Sequence, residues 1–162
     1  MKVIVAFDSV HGNTQKVAEA IAEEVRGTGH QAELVSLRDE GDQRPDGDLL
    51  FIGSPTRGGK MTKNAKAFLE ALDVDRWRDK RIAAFDTLGP LSKNADRRGQ
   101  QLETIRGSQK TAAARMQEVC TSRGLACSDI LHVPVVGMFG PLASESLDMA
   151  RGFVRGVVAG EK

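Results

Sequence analysis

Much that would point to a function is missing from this chain of 162 residues. Cysteine is scarce: Cys120 and Cys127 are the only two. They are too few for a secreted disulfide scaffold and are spaced neither as a CxxC redox pair nor as a zinc pattern. Both read as buried free thiols. A surplus of one charge is absent too. Lys plus Arg number 23 against 22 Asp plus Glu, so the basic excess of a nucleic-acid binder is lacking and no run of like charge marks a tail. No apolar run reaches membrane-spanning length. "VIVAF" follows Met1-Lys2 directly and meets Asp8 too soon to act as a signal peptide. His30 and His132 have no neighbouring ligand set, so no metal site is expected. With 40% hydrophobic residues, the expectation is one globular domain over 1–162, cytoplasmic, with neither nucleic acid nor membrane as partner.

What is present is an alternation of strand-like and helix-like segments. "KVIVAF" is short, apolar and β-branched, and Val17, Ala18, Ile21, Ala22 and Val25 then recur at helical spacing. "GTG" can cap that helix, and "QAELVSL" alternates as a half-buried strand should. After the polar loop "DEGDQRPDG", the run "DLLFIGS" reads as a fully buried strand. A glycine-rich turn and the helix "KNAKAFLEAL" follow, with Ala65, Phe68, Leu69 and Leu72 on one face. "KRIAAFD" is a fourth strand, "QKTAAARMQEVCTSRG" a helix, "DILHVPVVG" a fifth strand and "SESLDMARGFVRGVV" a last helix. Between the fourth strand and the next helix, residues 91–107 are polar and aperiodic, and predict a long loop, either a lid or a solvated excursion. Parallel neighbours need crossover connections, so five strands with helices between them predict an α/β parallel sheet covered on both faces. Ligands of such sheets bind beyond the carboxyl ends of the strands, where strand order reverses. That directs attention to the loops after Phe7, Gly53 and Phe85.

The first of these, "DSVHGNT", has no lysine or arginine. A helix starting near Asn13 offers free backbone N–H groups and the positive end of its dipole, an anion site without a charged side chain. Gly12 permits close approach, while Ser9, His11, Asn13 and Thr14 add donors. The alternative is that Asn13 or Thr14 simply caps its own helix. The P-loop signature GK[ST] and the dinucleotide fingerprint G-x-G-x-x-G are both absent from this turn.

"DSVHGNT" after the first strand and "IGSPTRGG" after the third together resemble the flavodoxin superfamily, whose first loop wraps the phosphate of flavin mononucleotide (FMN). "DKRIAAFDT" and "GMFGPLASESLDMARGF" extend the likeness over essentially the whole chain. The resemblance implies a three-layer sandwich with a five-stranded parallel sheet in the order 2-1-3-4-5. It implies a phosphate cradle of Ser9, His11, Gly12, Asn13 and Thr14, with His11 where the family usually has a hydroxyl. Pro55, Thr56, Arg57, Gly58 and Gly59 would border the flavin ring, and Thr87, Leu88, Gly89 and Pro90 would edge its pyrimidine side. FMN would be the cofactor and electron transfer the function. A redox partner protein or a small-molecule acceptor would be the partner, no side chain would be needed as a catalytic base or nucleophile, and a redox carrier is favoured over a turnover enzyme. Two other readings remain open: a flavodoxin-like binding module without flavin, and an FMN-dependent reductase of quinones or other small acceptors.

Two features depart from that family's pattern: the missing aromatics and the near-neutral charge. The chain has no tyrosine, and Arg57 and Leu88 stand near the places of the usual ring-facing aromatics. Arg57 would either lie on the ring or face solvent. Trp77, just before the fourth strand, is not a departure: it stands where the family often has a packing tryptophan, and it reads as packing rather than flavin stacking. Flavodoxins are commonly strongly acidic and this chain is near neutral, so steering by a negative face has no support.

Overall fold

The structure, a computed structural model, describes residues 1–39 and 44–160. Residues 40–43 of the polar loop read over 39–47 lie outside the described residues. Five strands form one parallel sheet: β1 (Lys2–Phe7), β2 (Gln31–Ser36), β3 (Leu49–Pro55), β4 (Arg81–Leu88) and β5 (Ala126–Pro134), in the order β2-β1-β3-β4-β5. Strand order reverses between β1 and β3, which puts a crevice at their carboxyl ends.

Helices cover both faces. On one side α1 (Asn13–Gly27) and α6 (Ser146–Ala159) pack on Val3, Val5, Leu49, Phe51, Ala83 and Phe85. On the other, α2 (Lys63–Ala71), the short α3 (Val74–Trp77) and α5 (Ala112–Ser122) pack on Ile4, Ala6, Leu50, Ile52, Ile82 and Ala84. Alternate residues of each central strand thus feed opposite cores. This is why these strands read as continuous apolar runs. β2, at the sheet edge, is the exception: most of it is exposed or half-buried and the expected clean alternation is absent, because only one neighbour and one helix cover it.

Several boundaries differ from the sequence reading. Residues 91–107 are not a long loop: Ala95–Arg106 form a helix, α4. Its start is marked by Asn94, whose side chain accepts from Arg97 N–H at 3.0 Å, a cap typical of helix N-termini. The helix escapes notice because only Arg98 and Leu102 on it are buried, leaving almost no apolar stripe to set a period. Arg98 forms a two-pronged pair with Glu145 at the start of α6, 2.7 Å on each prong, and donates to Ser92 O at 2.8 Å. That pair raises the Arg98 pKa and holds the Glu145 carboxyl below its usual range. The strand β5 begins and ends three residues before the predicted one, so Val135, Val136 and Gly137 belong to the turn after it. Trp77 is 1% exposed, packed under the sheet as expected, and Cys120 and Cys127 are buried free thiols.

Candidate functional site

The loop after β1 is assembled by its own polar groups. Ser9 Oγ accepts from the N–H of Gly12 (3.1 Å) and of Gln15 (3.3 Å). Gly12 sits at φ 90°, a left-handed turn that lets α1 begin at Asn13. Neither Asn13 nor Thr14 caps the helix, so the capping alternative is overturned. Asn13 Nδ2 donates instead to Phe139 O at 3.2 Å, and Thr14 Oγ1 lies 2.8 Å from Thr87 Oγ1 in a buried hydroxyl pair. The backbone N–H groups of Asn13 and Thr14 find no acceptor among the described residues. Two donors therefore stand free at the positive end of a 15-residue helix. Beneath them Asp8 is fully buried; Arg38 Nε lies 2.8 Å from Asp8 Oδ1 yet spends its N–H on Ser9 O at 2.7 Å, so the carboxylate feels the charge rather than a strong hydrogen bond.

The turn after β3 is a tight hairpin. Arg57 N–H donates to Lys60 O (2.9 Å) and Lys60 N–H to Arg57 O (3.1 Å), with Gly58 and Gly59 at φ 58° and 77°. Two successive positive φ values are those of a type I′ turn, which non-glycine residues adopt poorly. Thr56 anchors the turn from below. Its hydroxyl donates to Asp86 Oδ2 (3.2 Å) and accepts from Ala112 N–H (2.9 Å) at the start of α5. Asp86 is fully buried and also accepts from Ala113 N–H (3.0 Å) and from His132 Nδ1 (3.0 and 3.1 Å). Thr87 and Leu88 are not loop residues but the last two of β4, and Leu88 is buried, 7% exposed. Gly89 is pressed against Val135, where a Cβ would collide with the carbonyl.

These pieces meet in one crevice of about 280 Å³ at the carboxyl edge of the sheet. His11, Asn13 and Thr14 form its β1 end; Pro55, Thr56, Arg57 and Gly58 one side; Thr87, Leu88 and Gly89 its floor. Of the residues singled out in the sequence, Ser9, Gly12, Gly59 and Pro90 lie outside this lining: Ser9 and Gly12 shape the first loop, Gly59 packs against Lys110, and Pro90 lines a neighbouring groove. One wall was missed. Val135, Gly137, Met138 and Phe139, in the turn after β5, close the crevice. Phe139 sets its ring 4.5 Å from that of His11 and is 63% exposed, and Met138 is 74% exposed. The signal for them was the same rule that selected the other three loops, applied to the end of the fifth strand. Among the described residues no helix is long and apolar enough to cross a membrane and no His/Cys/Asp/Glu group is arranged to hold a metal ion.

The fold matches solved flavodoxin structures. One from the domain Archaea superposes with TM-score 0.72 at 21% identity, covering 98% of this chain and 97% of that one. Oxidised flavodoxin 1 of Bacillus cereus gives TM-score 0.71 at 20% identity over 100% of both chains. By sequence, the chain is 32% identical over 95 residues (59% of this chain) to the flavodoxin-like domain-containing protein BilS of Clostridioides difficile. It is 31% identical over 102 residues (56% of this chain) to flavodoxin FldP of Pseudomonas aeruginosa. The matches span about half the length of these relatives, 51% and 53%. A model of the flavodoxin domain matches residues 4–127, and the chain belongs to that family.

Proposed function

We propose that the crevice binds FMN and that the chain works as an electron-transfer protein. The observation that carries this is the pair of free N–H groups of Asn13 and Thr14 at the start of α1, in a loop without a cationic side chain, opening on a crevice walled by three further strand ends. Such an end takes a phosphate without special arrangement. The donor set fits the group: backbone N–H, the His11 ring and the Thr14 hydroxyl at one end; apolar and backbone surface at the other. When bound, FMN supplies reversible acceptance of electrons, and the protein supplies binding, orientation and charge.

In this reading Thr56 and Asp86 hold the Arg57–Lys60 turn in place. Arg57, exposed and without an ion pair among the described residues, puts positive charge beside the ring and favours its reduced, more negative form. Phe139, its ring 4.5 Å from that of His11, is the aromatic side chain on the crevice lining, whereas the β3 and β4 turns carry none there. Electrons pass to or from a redox partner protein or a small acceptor. The test is a fluorescence titration of the purified chain with FMN and with riboflavin. FMN should quench and saturate at far lower concentration; equal affinity for the two would overturn the phosphate assignment, and uptake of neither would favour a flavin-free module.

A further inference from the structure

The near-neutral total charge hides a separated one. Arg57, Lys60, Lys63, Lys66, Lys110 and Arg115 gather on the side of the crevice formed by the β3 turn and the first turns of α2 and α5. Arg57 and Lys60 are the two ends of the type I′ turn, and Lys110 packs on Gly59 within it, its Cβ 3.3 Å from where a glycine Cβ would stand. Lys60, Lys63 and Lys66 follow at three-residue spacing along one rim of a groove of about 550 Å³ between α2 and α5. Six cations here share one lining carboxylate, Glu118, which lies 3.5 Å from Arg115. The other five have no ion pair among the described residues. Several cations elsewhere are matched, Arg38 with Asp8, Arg76 with Asp46, Arg81 with Asp129 and Arg155 with Glu24, and those without a pair among the described residues, such as Lys16 and Arg97, do not stand together on this groove. An unmatched cluster in a chain of net charge +1 is a field with a direction, and such fields steer and orient encounters.

We infer that this face docks the carboxylate-rich surface of a partner protein. That the docked protein exchanges electrons with the crevice rests on the reading of the crevice as an FMN site; the docking itself does not. The occupant follows from the make-up of the patch. Its floor is Met61 and Val119, apolar and half-buried, with the charges around them, the layout of a protein interface with an apolar centre and a polar rim. No aromatic side chain lines the groove, so single-stranded nucleic acid would find no base-stacking platform.

The test uses the whole chain and a fluorescein-labelled polyglutamate peptide of about 15 residues, followed by anisotropy. Binding should weaken about tenfold or more on going from low to physiological salt. It should fall by a similar factor in the triple variant Lys60→Glu, Lys63→Glu, Lys66→Glu. The matched reversal Arg26→Glu, Arg151→Glu, Arg155→Glu on the α1 and α6 layer should leave it within about twofold. Unchanged binding in the first variant, or equal loss in both, would overturn the docking face. So would tighter binding of polyuridylate or of anionic phosphatidylserine vesicles than of the peptide at physiological salt. Melting curves of both variants check that each is folded. Flavin uptake by the same preparation is scored separately: peptide binding without FMN binding retains this surface and rejects the cofactor reading.

Discussion

The two ends of the crevice are held by different means. At the β1 end the turn's own bonds lie within eight consecutive residues, Asp8 to Gln15: a serine that gathers two N–H groups, a glycine at positive φ and a helix start. At the β3–β4 end the turn rests on Thr56, Asp86, Ala112, Ala113 and His132, joined by hydrogen bonds that each span up to 56 residues of sequence. The first end is a local motif and the second a tertiary network. A local motif fails one group at a time, whereas a buried network fails together when its central acceptor is lost.

The strongest way to break the contrast is Asp86→Ala. It leaves Ala113 N–H, the Thr56 hydroxyl and His132 Nδ1 without their shared acceptor, and should destabilise the fold by roughly 3 kcal/mol or more in urea unfolding. Because Thr56 carries the Arg57–Lys60 turn, FMN affinity should fall as well. Unaltered stability would show that the network is no hinge for that end.

Next come two changes at the β1 end. A Cβ on Gly12 would meet nothing within 4 Å, so Gly12→Val fails through its backbone: a β-branched residue at φ 90° costs about 1–2 kcal/mol. Thr14→Ala should cost about 1 kcal/mol through the lost Thr87 hydroxyl bond. Both should weaken FMN more than riboflavin if, as proposed, this loop holds the phosphate. A calorimetric titration that finds the two ligands equally affected would remove the distinction between the ends.

A smaller effect is expected from Arg57→Ala, which should lower the reduction potential of the bound flavin by an equilibrium factor of roughly five. Arg57→Lys keeps the charge and should keep most of the potential while loosening binding. Spectroelectrochemistry with the same midpoint in wild type and Arg57→Ala would place this side chain in solvent.

The smallest effect belongs to the Arg98–Glu145 pair, which ties α4 to α6 behind the wall holding Phe139. Arg98 lowers the Glu145 pKa in the folded state. Its stabilisation is therefore complete above the ordinary glutamate value of about 4.3 and fades as pH falls through the depressed one. In Arg98→Met the unfolding midpoint should drop by a few degrees near pH 7. The drop should shrink below that window to the part owed to the Ser92 carbonyl bond, as seen in melting curves at pH 7 and pH 3. A pH-independent difference would assign the loss to packing alone.

Much of this was legible in the sequence. The strands of the sheet centre declare themselves because both faces are buried, and α1, α2 and α6 because each carries a full apolar stripe. The place of the first turn and the start of α1 at Asn13 were readable, since the turn is built within a few residues of chain, whereas the partners of the Asn13 and Thr14 side chains, Phe139 and Thr87, were not. α4 was hidden by its polar surface, although Asn94 followed by Asp96 in the first turn is a start signal that could have been weighed. The sequence by itself determined the alternation of elements, the parallel sheet and a first turn without a cationic side chain, all products of local propensity and patterning. Only tertiary structure decided that Phe139 would stand against His11, that Asp86 would carry the β3 turn, and that six cations would share one face. Those depend on which strand ends lie side by side, and no local pattern records contacts between residues so far apart in the chain.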